Sequence, residues 1–226
     1  AEVPAASQDD FYEMLIMDNH VTISATAQVG AIWGTQTFAD IFRACGDDAE
    51  IPNCRIRDWG TLPRRGLVIE PDLSYNYMHL DEWSALVDRA AAQKLNTLVV
   101  ELAAQIPSRN STKKPVNLLL TPFPEAEELL PQNIIRWYSP KDDSWNEDAV
   151  APAMFQDDFF GEWAKYATER GALIIPSLSV YANGAPLAPA FPNIASQDKA
   201  GKAQPGTCLA SAKARTDWEK IHGSII

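Results

Sequence analysis

After Leu62 the chain alternates short, continuous apolar segments with amphipathic helices, and this pattern constrains the fold more than any other feature. The apolar segments are "RGLVIE" (65–70), "NTLVVEL" (96–102) and "ALIIPSLS" (172–179). Between them, apolar residues recur at helical spacing in residues 80–94 and 158–170. Strands that are apolar on both faces are typical of a parallel sheet covered by helices. The pattern therefore predicts an α/β fold with about three parallel strands.

The beginning of the chain has a different period. Residues 11–25, "FYEMLIMDNHVTISA", alternate apolar and polar side chains on both sides of Asp18 and Asn19, which predicts a β-hairpin with a tight turn. Residues 29–44 have helical spacing and are followed by Gly46, a residue type that favours helix ends. A further short strand is predicted at "IPNCRIRD". Together these segments predict a small α+β domain in which a helix packs on a sheet.

The composition excludes several classes of protein. Apolar residues make up 46% of the chain and charged residues 22%, a balance typical of folded chains. The net charge of -11 comes without a basic stripe, so a nucleic-acid partner is not expected. No apolar run reaches the roughly 20 residues that a membrane-spanning helix needs. The histidines lack metal-ligand spacing, and no phosphate loop or nucleophile elbow occurs, so neither a metal nor a cofactor is predicted.

Three sequence features bear on the compartment. Cys45 and Cys54 bracket a short loop that a disulfide could close in an oxidising environment, and Cys208 is left over. Asn110 begins the triplet N-S-T, an acceptor pattern for N-glycosylation in secreted proteins. The start "AEVPAASQDD" is compatible with a mature terminus formed by cleavage. We therefore expect a secreted or lysosome-like location.

A long segment, residues 103–157, interrupts the strand–helix alternation and is predicted as a loop. Loops longer than about 15 residues are uncommon and are often functional. This one follows the carboxyl end of a parallel strand, where α/β barrels build their active sites. It carries Trp137, Tyr138 and Trp145 beside acidic residues, a combination that suits a carbohydrate surface. The alternative is a structural insertion held together by its own aromatic side chains.

Several motifs resemble those of the family 20 glycoside hydrolases, the β-N-acetylhexosaminidases. The helix motif G-x-x-x-G-x-Q-T occurs at residues 30–37, and a proline and an arginine-glycine strand follow it in "LPRRGLVIE". The segments "LDEWSALVDRAAAQKLNTLVVEL" and "WAKYATERGALIIPSLS" are similar to the next helices and strands. The family 84 hexosaminidases are a related alternative, and the proline-ended strand "LIIP" favours family 20. The resemblance implies an amino-terminal α+β domain over residues 1–60 and an incomplete (β/α)8 barrel over residues 61–226.

The resemblance also implies roles for individual residues. Arg65 matches an arginine that binds sugar hydroxyls, and a planar guanidinium can donate two parallel hydrogen bonds to neighbouring oxygens. Glu70 replaces the family's usual aspartate, and Glu101 stands where a histidine is expected. For Arg65 and Glu70 an ion pair beneath the barrel top is the structural alternative, and Arg64 is expected at the surface. The predicted substrate-binding residues are thus Arg65, Glu70, Glu101, Trp137, Tyr138 and Trp145.

The mechanism implied by the resemblance is retaining and substrate-assisted, with an aspartate orienting the substrate's acetamide and a glutamate protonating the leaving group. That pair belongs at the end of a fourth barrel strand, beyond the three strands predicted here. We therefore expect an amino-terminal portion of a hydrolase that needs a second polypeptide or a missing carboxyl-terminal part and is inactive alone. The alternative is a non-catalytic carbohydrate-binding or structural protein derived from the same fold.

Overall fold

The computed structural model describes residues 2–46, 50–70, 78–106, 116–119, 133–150, 159–178, 187 and 191–223. The helices and longer strands of the first hundred residues are β1 (Tyr12–Met17), β2 (His20–Ala25), α1 (Gln28–Cys45), β3 (Cys54–Asp58), β4 (Gly66–Ile69), α2 (Leu80–Ala92) and β5 (Thr97–Glu101). They are followed by β6 (Ala103–Ile106), β7 (Val116–Leu119), β8 (Asn133–Ser139), β9 (Ser144–Val150), α3 (Phe159–Glu169), β10 (Leu173–Ser177), β11 (Ala195–Gln197), β12 (Ala203–Thr207) and α4 (Ala212–Gly223).

The first sheet has the strand order β2-β1-β3 and is antiparallel. The β1–β2 hairpin is closed by Asp18 and Asn19, whose φ angles of 49° and 63° lie in the left-handed region. Two left-handed residues in a two-residue connection match the right-handed twist of the flanking strands. The predicted hairpin, its turn and the third strand are confirmed.

Helix α1 covers one face of this sheet, as predicted. The alternation along β1 places Tyr12, Met14 and Ile16 in a core with Trp33 of the helix. The motif glycines bring the helix close to the sheet: a Cβ on Gly30 would collide with the backbone carbonyl oxygen of Phe11, and one on Gly34 would lie 2.7 Å from Cγ2 of Ile23. The spacing of these glycines therefore serves packing.

The second sheet has three strands in the order β10-β5-β4. The amide of Leu173 donates to the carbonyl of Asn96 (3.0 Å), and further along both strands the amide of Leu102 donates to the carbonyl of Ser177 (2.8 Å). Residue numbers rise together along both strands, so β5 and β10 are parallel. A mixed α/β fold with a three-stranded parallel sheet is thereby confirmed.

The prediction of a long loop over residues 103–157 is wrong for the part that the structure describes. Strands β6 and β7 pair with each other, and so do β8 and β9, each as an antiparallel hairpin. The β8–β9 turn contains Asp143 in the left-handed region (φ 48°). The alternation in "IIRWYS" and "SWNEDAV" around an Asp-containing turn was the available signal. A hairpin formed by β11 and β12 was also not predicted.

The predicted disulfide is not formed in the structure, where Cys45 and Cys54 are free thiols, as is Cys208. Cys45 ends α1, and Cys54 begins β3. The side chain of Cys54 packs against the core beneath α1 and acts as a small apolar residue. The described helices also include none that is long and apolar enough to cross a membrane.

The chain divides into two compact units. The first comprises Ala1–Leu67, Ser84–Leu98 and Lys165–Ile174, and the second comprises Val68–Trp83, Val99–Ala164 and Ile175–Ile226. The small α+β layer lies in the first unit, and the carboxyl-terminal halves of the three parallel strands lie in the second. The domain boundary at residue 60 stays a prediction.

Candidate functional site

Three polar residues lie at the carboxyl ends of the three parallel strands. Glu70 follows β4, Glu101 ends β5 and Ser177 ends β10, and β5 is the central strand. Because side chains alternate along a strand, Glu70 points to the same face as Val68, and Ser177 points to the same face as Ile175. Glu101 lies on this face too, because it is hydrogen-bonded to Ser177. We call Glu70, Glu101 and Ser177 the polar row.

The face that carries the polar row is open to solvent. Val68 is 70% exposed and Ile175 is 36% exposed, although both are apolar. The alternate residues Ile69, Val100 and Ile174 are buried on the other face. In the described residues one face of the sheet is therefore buried and the other is exposed, and the polar row lies on the exposed face.

The members of the polar row differ in their contacts. The hydroxyl of Ser177 donates a hydrogen bond of 3.0 Å to Oε2 of Glu101, and both side chains are half-buried. Glu70 is exposed. A carboxylate accepts hydrogen bonds only. Two carboxylates and a hydroxyl at one sheet edge can therefore bind ligands that carry several hydroxyl or amide donors, which is the chemistry of a sugar.

The structure places Arg65 just before β4, at the amino-terminal end of that strand, and gives its guanidinium three protein partners. Nη1 donates to Oδ2 of Asp10 (2.6 Å) and to the carbonyl oxygen of Leu62 (2.6 Å), and Nε donates to the carbonyl oxygen of Lys94 (3.0 Å). Asp10 is 5% exposed and also accepts from the indole of Trp33 (3.0 Å). These contacts support the ion-pair alternative, and sugar binding by Arg65 stays a prediction.

A second ion pair lies close to the first in sequence. Lys94 Nζ donates to Oδ2 of Asp58 (2.8 Å) and to the hydroxyl of Tyr12 (3.2 Å). Burial raises the pKa of the Asp58 carboxyl. The hydrogen bond from Lys94 and the charge of Lys94 lower this pKa, with smaller contributions from Tyr12 and the Trp59 amide, and together they outweigh burial, so the pKa lies below its usual value. Burial lowers the pKa of Lys94, but its bonds to Asp58 and Tyr12 outweigh this and leave the pKa above its usual value.

The opposite pKa shifts predict that this pair stabilises the fold over a broad pH range. The Asp58 contribution is complete above the unfolded pKa of about 4 and is lost as the pH falls through the depressed folded pKa. The Lys94 contribution is complete below about pH 10 and is lost as the pH rises through the raised folded pKa. The difference in unfolding free energy between wild type and Lys94→Met, measured by urea unfolding, should shrink at both extremes. A difference that stays constant at all pH values would contradict the pairing.

The β8–β9 hairpin carries two of the predicted aromatic residues. Tyr138 and Trp145 face each other across the two strands, with ring centroids 5.5 Å apart. Trp137 lies in β8 opposite Asn146, and its side chain lies outside the described part of the structure. Asn110 also lies outside the described residues. The structure thus brings together two of the three aromatic residues.

A cleft of about 350 Å³ occurs in the first unit, lined by Asp9, Asp10, Arg64 and Asn96 among others. Its buried polar groups already have protein partners: Asp10 is bound by Arg65 and Trp33, and the Asn96 amide donates to the carbonyl of Pro63 (2.8 Å). Arg64 is exposed, as predicted. The polar row is therefore a better candidate for a sugar-binding site than this cleft.

Sequence reasoning missed Asp10 and did not assign a role to Ser177. Asp10 precedes the first strand in a polar stretch, and nothing in its neighbours marks it as a buried ion-pair partner. Ser177 had a signal, because it follows the apolar run "LIIP" at a strand end. Its bond to Glu101 depends on the neighbouring strand and becomes visible only in the fold.

A family model matches the amino-terminal part of the chain. The family model described as "Glycosyl hydrolase family 20, domain 2" covers the stretch that contains the first sheet and α1. Residues 3–59 match this family 20 domain. The resemblance drawn from the G-x-x-x-G-x-Q-T helix is confirmed. No curated protein sequence gives a significant match to the chain.

Solved structures share the fold of nearly the whole chain. A chitobiase from Flavobacterium johnsoniae has a TM-score of 0.67 at 21% identity, over 96% of this chain and 30% of that chain. A family 20 β-N-acetylhexosaminidase from Streptomyces coelicolor has a TM-score of 0.64 at 18% identity, over 100% and 44%. A β-N-acetylhexosaminidase from Bacteroides fragilis has a TM-score of 0.65 at 13% identity, over 96% and 40%. The chain therefore spans less than half the length of each of these enzymes.

Proposed function

We propose that this chain is the amino-terminal portion of a β-N-acetylhexosaminidase-like glycoside hydrolase that acts on terminal N-acetylhexosamine residues. The observation that carries this proposal is the order of parts: a family 20 domain at residues 3–59 is followed by a parallel sheet whose fold matches family 20 enzymes over almost the entire chain. Fold alone does not specify activity, so the proposal also depends on the polar row at the sheet edge where barrel enzymes bind substrates.

The open sheet face supports a barrel that is completed elsewhere. Val68 and Ile175 are apolar and exposed, and exposed apolar side chains on a sheet normally contact another part of the protein. A closed barrel of this type needs about eight staggered strands, and the parallel sheet here has three. A carboxyl-terminal part of the same protein or a second polypeptide would supply the remaining strands and the catalytic Asp-Glu pair. The chain alone would then be inactive.

In the completed enzyme the polar row would bind the sugar. Glu101 is held by Ser177, which limits the side-chain freedom lost on binding, and it can accept hydrogen bonds from sugar hydroxyls. Glu70 lies on the adjacent strand and can contact a neighbouring hydroxyl. Acetamide attack on the anomeric carbon and protonation of the leaving group would fall to the Asp-Glu pair supplied by the rest of the barrel. The residues of this chain bind and orient the sugar.

We expect Glu101→Gln in the complete protein to lower kcat/KM for a chromogenic N-acetyl-β-glucosaminide by about 10- to 100-fold. A hydrogen bond to a charged group contributes about 1.5–3 kcal/mol, which corresponds to this range of rates. Glu162→Gln is the matched control, because Glu162 is an exposed carboxylate on α3 and its substitution should leave the rate unchanged. Equal rates for the two variants would remove Glu101 from the site.

The hydrolase proposal itself is tested on the protein from its natural source. Native and denaturing mass spectrometry together reveal whether a longer chain or a second polypeptide accompanies this sequence. We expect such a partner, together with hydrolysis of the chromogenic substrate. A folded protein of 24.9 kDa that travels alone and does not hydrolyse the substrate would contradict the proposal.

The second candidate function is glycan binding without hydrolysis. It is favoured by the end of β5, where Glu101 is hydrogen-bonded to Ser177 and stands in place of the histidine that the resemblance leads one to expect. Glycan binding by the complete assembly in the absence of turnover would distinguish it from the hydrolase. A secreted or lysosome-like location and glycosylation at Asn110 are part of either proposal.

A further inference from the structure

Trp145 is exposed, whereas four other tryptophans of this chain are buried. Trp33, Trp83, Trp163 and Trp218 are each at most 4% exposed, whereas Trp145 is 60% exposed. Its cross-strand neighbour Tyr138 is 43% exposed. Exposing two large aromatic rings side by side sacrifices burial energy, and such patches commonly mark binding surfaces.

The two rings form one face of the β8–β9 hairpin. Tyr138 and Trp145 are register partners, so their side chains point to the same face, and their ring planes are inclined by 56°. Glu147, two residues after Trp145, is on the same face and is exposed. Ser139, Ser144 and Asn146 alternate with them and are less exposed. The hairpin therefore has an aromatic face, which we define by Tyr138, Trp145 and Glu147.

The turn of the hairpin holds this aromatic face in place. The Tyr138 hydroxyl donates to Oδ1 of Asp143, which fixes the ring and raises the pKa of the phenol, so the phenol stays neutral well into the alkaline range. The Ser139 hydroxyl donates to Oδ2 of Asp142 (2.9 Å), and its oxygen accepts from the Asp142 amide (3.4 Å). Rings that are already oriented lose little conformational freedom when a ligand binds.

The charges around the aromatic face select the ligand. Three acidic residues, Asp142, Asp143 and Glu147, outnumber the two basic ones, Lys141 and Arg136, the register partner of Glu147, and the whole chain has a net charge of -11. An anionic glycan or a nucleic acid would be repelled. Aromatic rings provide flat apolar surfaces for the C–H faces of sugar rings, and the carboxylates accept bonds from hydroxyl and amide donors.

We propose that the aromatic face of the β8–β9 hairpin is a saccharide-binding platform of its own, which binds glycan chains that lack acidic groups. It goes beyond the proposed function, because it assigns binding to the hairpin whether or not the chain is part of a hydrolase. The two share only the chemical class of the ligand. The hydrolase proposal is read out by turnover, and the platform is read out by binding to this chain alone.

The test is a titration of this chain with the trisaccharide of β-1,4-linked N-acetylglucosamine, followed by calorimetry. We expect Trp145→Ala to weaken binding at least about fivefold and Trp145→Phe to retain most of it, because the flat apolar surface remains. Phe42→Ala is the matched control: Phe42 is 55% exposed on α1, away from the hairpin in sequence, and its removal should leave the affinity unchanged.

Two results would overturn the platform. One is an affinity for the trisaccharide that is the same in wild type and Trp145→Ala, or the absence of binding to the wild-type chain. The other is Trp145-dependent binding of a sulfated, uronate-containing oligosaccharide as tight as that of the neutral trisaccharide. Unchanged trisaccharide binding in Glu101→Gln would support the platform, because it separates the hairpin from the polar row.

Discussion

Replacing Asp10 with alanine should lower the free energy of unfolding by about 3–5 kcal/mol, the cost of removing one partner from a buried ion pair. Asp10 is 5% exposed, and it binds both the guanidinium of Arg65 (2.6 Å) and the indole of Trp33 (3.0 Å). Without the carboxylate, the buried indole N–H of Trp33 would lose this acceptor, and the largely buried guanidinium of Arg65 would keep only the carbonyl oxygens of Leu62 and Lys94 and lose its charged partner. Urea unfolding followed by tryptophan fluorescence measures the loss.

The matched control for Asp10 is Asp40, another aspartate that is paired with an arginine. Its partner Arg43 lies one turn away on the surface of α1 at 2.6 Å, and both side chains are at least half exposed. Exposed pairs of this kind contribute less than about 1 kcal/mol, so Asp40→Ala should have little effect. Similar losses from the two variants would show that the buried pair is no stronger than a surface one.

Substitution of Arg65 distinguishes a structural role from a role in sugar binding. If Arg65 is the structural partner of Asp10, Arg65→Ala should destabilise the chain to an extent comparable with Asp10→Ala. If Arg65 binds the sugar, the same variant should keep the fold and lose turnover more than tenfold in the complete enzyme. The contacts of its guanidinium with Asp10, Leu62 and Lys94 favour the first reading.

The sequence specifies the local elements of this fold well, because their signals are local. The alternation around Asp18 and Asn19 predicted the hairpin, and the continuous apolar runs predicted the parallel strands. The hairpin of β8 and β9 was not predicted, because its alternation is short and lies within a long interruption of the strand–helix pattern. In such a segment the sequence is compatible with a loop or with short strands, and pairing between β8 and β9 decides in favour of strands.

The candidate site was less predictable, because its contacts join distant parts of the chain. Ser177 and Glu101 are 76 residues apart in sequence, and Arg65 and Asp10 are 55 apart. A motif indicates which residue types are present, but a guanidinium finds its partner only after the strands are placed. Arg65 shows this: its position in "PRRGLVIE" suggested a sugar ligand, whereas its geometry shows a buried carboxylate within 2.6 Å.

Substitution of Gly30 in the helix motif should also destabilise the fold, because Gly30 lies where α1 approaches the segment before β1. A Cβ on Gly30 would collide with the carbonyl oxygen of Phe11, a backbone atom that no side-chain rotation can move. The Gly30 amide also donates to the carbonyl of Asp9 (3.0 Å), which fixes the helix at this point. Gly30→Ala should therefore lower the free energy of unfolding by about 3 kcal/mol, at the upper end of overpacking costs.

The same substitution elsewhere in a helix should have the opposite sign. Gly223 ends α4, and a Cβ there would meet no atom within 4 Å. Gly223→Ala should therefore be neutral or stabilise by up to about 1 kcal/mol, because alanine loses less backbone entropy in a helix than glycine does. Urea unfolding of both variants measures the difference. A Gly30→Ala chain as stable as wild type would mean that α1 can move away from Phe11 at no cost, and the motif glycine would then have no packing role.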